Sequence, residues 1–531
     1  MSKILMGSGY STLAKKNFVL PPGFNSKASS YEGASTGRRL GTWGTTTAGP
    51  NSAVSGSQTT IRNRSRELVR NNPWAENAID SLVANMIGTG IRPRFKIDDS
   101  AVKEELQALW DDWTHESDAD GVSNFYGQET LVGRGVVEAG EILGRFRPRR
   151  PEDGLSVPLQ IQLLEADHFY DQGDKTLQNG NVIREGIEIN KIGRKVAYHL
   201  YKNHPGDLTL SNPGEFLPVR IPASEIMHVF KPLRIGQLRG MPWFSSVMVR
   251  LHDLDEYEDA ELMRKKTAAF FAGFITKTDP TNPQPNFAVG KEEDDDAEGN
   301  TVIGFEPGLL QYLNDGEDIK FAEPADVGGN YEVWIKQTLH SIAAGIGCTY
   351  EQLTGDLKGV NYSSIRAGLL EFRRRCEMFQ HNIIIHQFCL PVMNRWIETA
   401  FVSGAIKLKD FTKKRREYTR VRWCTPGWDW VDPIKDQLGK QMEVRNGFNT
   451  RENVAAELGH DVENIDKENK ASNERVDKMG LIYDTDPRKT AKSGTMQSAQ
   501  EKVVDDSMTE QNELFEDDDE ENEQPKKVVN Q

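Results

Sequence analysis

Between residues 72 and 86 the apolar positions fall at Ala75, Ile79, Leu82, Val83 and Met86, a three-and-four spacing that predicts one buried helix face. Asn72 supplies a cap ahead of Pro73 at the first helical position, and Gly88 and Gly90 supply the stop. The run from Ile91 to Ile97 predicts a strand, and Leu106, Leu109, Trp110 and Trp113 a second amphipathic helix. Alternating apolar residues between 159 and 230 predict strands: LQIQLLEADHFY, then a hairpin in GIEINKIGRKVAYHLY turning at Ile192-Gly193-Arg194, then EIMHVFK. A long helix is expected from Pro242 to Phe271, with Arg264, Lys265 and Lys266 late in it, where they suit the helix dipole.

Residues 272–326 change character. Strand-like pieces (GFIT, TVIGFEP, QYLNDGEDIKF) surround a polar insert from Asp279 to Asn300 that contains KEEDDDAE. Helix returns over Tyr331 to Ile346, with Ile335, Leu339, Ile342 and Ile346 on one stripe, followed by the irregular TYEQLTGDLKGVNY. Next, Ile365, Leu369, Phe372, Cys376, Phe379, Ile383, His386 and Leu390 alternate by four and three, a heptad-like stripe that packs against neighbouring helices. Gly368 and Pro391 predict bending there. YTRVRWCTPGWDWVDP predicts a strand and an aromatic turn. Helices follow over Pro433 to Val444, after Thr450 or Asn449 as cap, and over residues 462–480. No internal repeat is present.

Length and composition allow a large core: 531 residues, 37% hydrophobic and 27% charged, suit a soluble multi-part protein. The apolar run from Ile383 to Val392 is broken by His386 and Pro391, and a span needs roughly 20 apolar residues, so no membrane segment is expected. The start, MSKILMGSGYS, is too short in apolar residues for a secretory signal. Cys348, Cys376, Cys389 and Cys424 form no CxxC pair and read as reduced structural thiols. Net charge is −15, unevenly spread. Residues 1–60, rich in Gly, Ser, Thr and Asn, set six basic residues against Glu32 alone, while residues 501–531 hold twelve acids against three lysines. Both ends are expected to be flexible, with order starting near Ile61. An acidic body argues against tight wrapping of DNA but allows DNA to slide past.

Enzyme signatures are absent. There is no Gly-x4-Gly-Lys-Ser/Thr loop, no HExxH and no GxSxG. His381 and His386, five apart, do not share a helix face. GRGVVEAG (133–140) reads as close helix packing, and Ser363-Ser364 as part of a cap. Trp423, Trp428 and Trp430 read as core or interface anchors. No cofactor, metal or catalytic residue is expected. One charged feature remains: Asp253, Asp255, Glu256, Glu258, Asp259 and Glu261, six acids in nine residues of one helix. On a monomer they form a solvated face; in a ring they line a channel or a subunit seam.

Five segments in order resemble the lambda family of phage portal proteins: RELVRNNPWAENAIDSLVANMIGTGIRPRF (66–95), EADHFY (165–170), GIEINKIGRKVAYHLY (186–201), IPASEIMHVFKPLRIGQLRGMPW (221–243) and LTGDLKGVNYSSIRAGLLEFRRR (353–375). The resemblance covers about residues 61–480 and leaves out both tails. It implies a mainly helical α+β portal-type fold. Residues 1–60 are then an arm, 61–240 the first part of an α/β wing, and 241–271 a stem helix. Residues 272–326 become a clip, 327–348 the returning stem helix, 349–362 a tunnel loop, 363–439 the rest of the wing with its long helix, 440–484 a crown, and 485–531 an acidic tail. It also implies a ring of roughly twelve subunits that conducts double-stranded DNA into the capsid and out. The partners would be the major capsid protein and scaffold, the terminase large subunit that supplies ATP energy, and head–tail joining proteins, in the virion and, during assembly, the host cytoplasm.

In that frame Asp356 and Lys358 approach DNA and Asn361 or Ser363 caps the next helix. Proline at Gly355 and Gly359 is expected to stiffen the loop, stalling packaging without disturbing the ring. Two other readings compete. Another head–tail connector or scaffold would share the charge pattern but not the helix–insert–helix order at 242–347. A packaging nuclease or protease would need a metal cluster or nucleophile motif.

Overall fold

The computed structural model describes residues 44–170, 173–207, 217–269, 331–428, 433–457 and 462–483, the strand segments 273–277, 292–293, 302–303 and 317–321, and residues 42, 486 and 488. Helix α1 (Pro50–Ser55) leads into α2 (Gln58–Asn71) and α3 (Pro73–Met86). Asn72 caps α3, its side-chain oxygen accepting from the N–H groups of Trp74 and Ala75. Strand β1 (Arg92–Phe95) is followed by α4 (Ser100–Thr114) and α5 (Phe125–Glu138). β2 (Glu141–Pro148) and β3 (Leu159–Glu165) pair antiparallel. β4 (Lys175–Thr176), β5 (Val182–Arg184), β6 (Ile187–Ile189), β7 (Lys195–Leu200) and β8 (Val219–Pro222) form an antiparallel sheet in chain order, and β9 (Ile226–Phe230) returns to pair with β2. The β6–β7 turn falls where its residues require. Asn190 accepts from the Ile192 and Arg194 N–H groups, and Gly193 takes φ 84°.

Helix α6 (Met248–Ala269), strands β10 (Gly273–Lys277), β11 (Glu292–Glu293), β12 (Val302–Ile303) and β13 (Glu317–Phe321), and helix α7 (Tyr331–Ile346) come next. β11 lies inside the stretch read as a polar insert. The short α8 (Tyr350–Thr354) precedes a long helical passage: α9 (Tyr362–Phe379), a π-helical stretch from Gln380 to Cys389, and α10 (Leu390–Ser403). Helix α11 (Phe411–Tyr418) and strand β14 (Val421–Cys424), which pairs with β1, close the body. α12 (Pro433–Arg445), α13 (Arg451–Glu457) and α14 (Val462–Met479) follow. α14 is tied to α4 by Lys103–Glu463 and Lys467–Glu104 ion pairs.

The main core gathers α3, α4, α5, α7, α9 and α10 around fully buried Trp110, Trp113 and Trp396, with Trp110 edge-on to Trp396 at 5.1 Å and Phe125 stacked on Phe388 at 5.7 Å. A second core, Leu143, Leu164, Phe169, Ile187, Tyr198 and Ile221 among it, lies between the two larger sheets. GRGVVEAG packs closely, as its glycines suggested: a Cβ on Gly133 would stand 3.1 Å from Ile87 and one on Gly135 2.9 Å from Ile142. Trp423 and Trp428 pack against the main core; Trp430 lies outside the described residues. All four cysteines are free and buried.

Two expectations need correcting. The heptad stripe holds from Phe372 to Ile383, but His386 is exposed, and burial passes to Ile384, Ile385, Phe388 and Cys389. A π-helix takes more residues per turn, so the buried face rotates against a strict heptad. Order also begins well before Ile61. Asn51 clamps the Gly236 carbonyl (3.1 Å) and the Leu238 N–H (2.8 Å), and Gln58 is 2% exposed. Hydrogen bonds and a single buried apolar side chain, Val54, anchor this stretch, so composition alone hides it. Residues 1–41 and most of 484–531 lie outside the described residues, although Arg488 pairs with Asp486 and Asp477.

Candidate functional site

Helices α6 and α7 form an out-and-back pair. Val247 meets Gly345 at the root, Tyr257 packs on Trp334 (4.3 Å) and Tyr331 (5.9 Å), and Lys265 lies over the Tyr331 ring (4.9 Å). As numbers rise on one helix they fall on the other, so the helices run antiparallel, and the β10–β13 pairing continues the excursion beyond them. Leu251 and Leu254 are buried near the root. Of the six acids, Asp253, Asp255, Glu256 and Asp259 are exposed and Glu258 is half-buried, its carboxyl raised by burial and by the charges of Asp255 and Asp259. Glu261 differs. Its carboxylate is held by Arg264 (2.6 Å) and, more loosely, Lys265 (3.8 Å), and is lowered by the Arg264 hydrogen bond. Large apolar side chains are exposed on the same pair: Val249, Leu262, Met263, Val333 and Trp334.

The segment after α7 is half ordered helix. Thr349 and Gln352 form a reciprocal capping box at the start of α8, Leu353 is buried, and Asn77 on α3 donates to the Gln352 and Leu353 carbonyls. Only residues 355–361 make a free-standing turn. There the Asp356 carboxylate accepts from the Lys358 N–H (3.0 Å), Lys358 is exposed, and Gly355 and Gly359 take φ 70° and 72°. Proline at these glycines would not stiffen the loop. Its ring fixes φ near −65°, so both positions would have to leave the left-handed region and the turn would be rebuilt. Asn361 stands at the N-cap position of α9, its carbonyl accepting from Ile365 N–H (3.0 Å), whereas Ser363 lies inside the helix. The structure thus brings Asp356, Lys358 and Asn361 into one turn at the root of the helix pair, separate from the acids along α6.

Sequence reasoning missed a buried polar network beside that root. Glu141 Oε1 accepts from Gln58 Nε2 (2.7 Å) and from Arg239 Nη2 (2.6 Å), while Oε2 accepts from the Gly240 N–H (2.8 Å) and contacts His228 Nε2 (2.9 Å). All are at most 9% exposed among their residues. Desolvation opposes the charge on Glu141, but Arg239 and His228 outweigh it and hold the carboxyl far below its usual range. Burial pushes His228 down to about 4, so it is a neutral donor here. The signal was present in the quoted segments: QLRG contributes Arg239 and Gly240, and EADHFY contributes Phe169, whose ring lies 3.7 Å from the Arg239 guanidinium.

Next to this network Glu165, Asp167 and His204 bring three ligand-type atoms within 4.8 Å of one another. Arg66 already bridges both carboxylates (2.5 and 2.7 Å) and Arg62 adds a contact to Asp167 (3.1 Å), so a cation there would have to displace guanidiniums. An open cavity of about 790 Å³ runs past Arg66, Arg134, Glu138 and His204. Among the described residues no helix is long and apolar enough to cross a membrane.

The family model for "Phage portal protein, lambda family" matches residues 36–380. A probable portal protein of Halomonas phage phiHAP-1 is 27% identical over 433 residues, covering 80% of this chain and 81% of that protein. Portal protein B of Escherichia phage lambda is 23% identical over 471 residues, covering 82% and 87%. A chain from the neck of a native gene transfer agent particle, computed with C12 symmetry, is 14% identical with a TM-score of 0.41, covering 80% of this chain and 99% of that one.

Proposed function

The chain belongs to the lambda family of phage portal proteins, and from that membership we propose that roughly twelve copies close head-to-tail into a ring that conducts double-stranded DNA through a capsid vertex. The observation that carries this reading is the antiparallel α6–α7 pair, which leaves the body at Val247, returns at Gly345 and exposes carboxylates along its length. In the ring it is the stem. Residues 272–326 are the clip, 349–362 the tunnel loop, 440–484 the crown, and the two sheets with α9 and α10 the wing. Exposed Val249, Leu262, Met263, Val333 and Trp334 are covered by flanking subunits, since leaving such surface in water costs about 25 cal/mol per Å².

The carboxylates repel phosphate at every angle around the bore, so DNA finds no deep trap, and Lys358 offers only passing contact. Asp356 positions the Lys358 backbone, and Asn361 starts the helix behind it. The subunit is a structural channel and not an enzyme. The terminase large subunit supplies the energy, the major capsid protein and scaffold hold the rim, and head–tail joining proteins seal the outer end, in the virion and, before that, in host cytoplasm.

Light scattering and negative-stain imaging of the full chain at micromolar concentration and physiological salt test the reading. The expected result is a ring with a central hole; a monomeric mass under those conditions overturns it.

A further inference from the structure

Strand β2 ends in Arg145-Phe146-Arg147-Pro148, and Arg149-Arg150 follow it directly. Alternation along a strand sets Arg145, Arg147 and Arg149 on one face. On that face Leu143 is covered by the second core, while Arg145 and Arg147 are half-buried and Arg149 is exposed. The neighbouring strand β3 presents glutamines there and not acids. Gln162 accepts from Arg147 Nε (2.9 Å) and Gln160 from Arg149 Nε (2.6 Å). Gln160 is itself fixed by donating to the carbonyls of Glu116 (2.8 Å) and Asp118 (3.0 Å). Neutral acceptors aim the guanidiniums without cancelling their charge. Among the described residues Arg145, Arg147 and Arg149 make no ion pair, and Arg145 Nε is buried without a partner. Burial and the like charges of Arg145 and Arg149 pull the Arg147 guanidinium down, with Asp120 and Glu225 acting only at a distance. A row of three cations, two of them aimed by glutamines and none in an ion pair among the described residues, on a protein of net charge −15 calls for an anionic occupant.

The chain carries one of its own. Residues 516–523 read EDDDEENE, within a C-terminal stretch of twelve acids and three lysines. The 28 residues from Arg488 to this run span on the order of 30 Å as a random coil and at most about 90 Å when fully extended. A tether of that length raises the local concentration of the run at any site it can span, into the millimolar range. In an extended segment alternate side chains repeat about every 6.8 Å, the repeat of the arginines on β2, and both faces of this run are acidic, so register does not matter. Carboxylate–guanidinium pairs, forked and charge-assisted, then form along the row. We propose that residues 516–523 of this chain dock along Arg145, Arg147 and Arg149 and keep that row from capturing nucleic acid.

Cross-linking tests the contact. Cysteines placed by Arg150→Cys and Asn522→Cys in the full chain, joined by a short bismaleimide, should couple at physiological salt, because the four native thiols are buried. The yield should fall about tenfold at 1 M salt, where charges are screened within ~3 Å. It should fall equally with Arg145→Gln, Arg147→Gln and Arg149→Gln together, or with Asp517→Asn, Asp518→Asn, Asp519→Asn and Glu520→Gln together. The second set changes only the tail, so lost coupling there does not come from misfolding of the sheet. A yield indifferent to the tail substitutions overturns the proposal.

A duplex oligonucleotide provides the second arm. A chain ending at Gln500 should bind it at low salt about tenfold more tightly than the full chain, through the same arginines. Equal arginine-dependent binding by both chains makes the row a nucleic-acid site and overturns the tail contact. So does absent coupling together with a change in oligomeric mass in the arginine variant, which makes the row a subunit interface.

Discussion

Glu129 shows what a single buried acid does to this protein. It is fully enclosed in the main core, its Oε2 accepting from the Ile91 N–H (2.7 Å) and its Oε1 from the Cys389 thiol (3.3 Å). Burial pushes it up to about 8, with those two hydrogen bonds opposing. The folded state therefore binds a proton that the unfolded chain releases near 4.5. The stabilisation is complete at acid pH, falls as pH rises from about 4.5, and is gone above about 8. Melting followed from pH 5 to 9 should show a decline on the order of several kcal/mol in the native chain and a much flatter profile in Glu129→Gln. Parallel profiles would mean that another group sets the alkaline limit. Glu129 was not legible in the sequence. On α5 it is one polar position among apolar ones, and only the π-helical stretch brings Cys389 against it from 260 residues away.

At the scale of elements, legibility followed locality. Asn72, Gly193 and Thr450 act where they were expected because a cap or a turn is decided by neighbouring residues; Thr450 accepts from the Asn453 N–H at 3.2 Å. The five residues of α8 show no apolar period and so carry no helix signal, yet Leu353 and Asn77 dock the helix on α3. The π-helical stretch was invisible because its only mark in the sequence is a drift in which isoleucine is buried. The turn at 355–361 carries a prediction. A Cβ at Gly355 or Gly359 meets nothing within 4 Å, so alanine there costs only left-handed backbone strain, roughly 1–2 kcal/mol per position. Gly355→Ala with Gly359→Ala should assemble normally and package more slowly, measured as DNA filled per unit time in a defined packaging reaction. An unchanged rate would remove the turn from the DNA path.

For the whole molecule the deciding quantity is where charge lies and not how much there is. The exposed Asp253, Asp255, Glu256 and Asp259 repeat in every subunit. Neutralising them as Asp253→Asn, Asp255→Asn, Glu256→Gln and Asp259→Asn should leave the ring intact and let DNA linger. Translocation should slow most at low salt, and the gap to the native ring should close near 1 M, where the Debye length is about 3 Å. A salt-independent difference, or none, would put these side chains in a subunit seam. The order of the parts was readable from five short segments, because helix pair, insert and long helix follow one another along the chain. The joins between them were not, since Gln58, Glu141 and the His228–Arg239 segment come from three separate stretches.

One of those joins has a mechanical meaning. Asn51 holds Gly236 and Leu238, Gln58 holds Gly240, and Arg234 reaches the Ala48 carbonyl, so a short N-terminal stretch is riveted to the residues that lead into α6. A filament driven through the ring against a filling capsid pushes back on the shaft, and the thrust arrives at its root. Several bonds bridging one short span share such a load and must break together, where a single contact would peel. If the helix pair is the stem, residues that composition marks as slack would serve as the anchorage of a component under compression. Fatigue of the assembled machine should begin there, where the chain enters the helix pair.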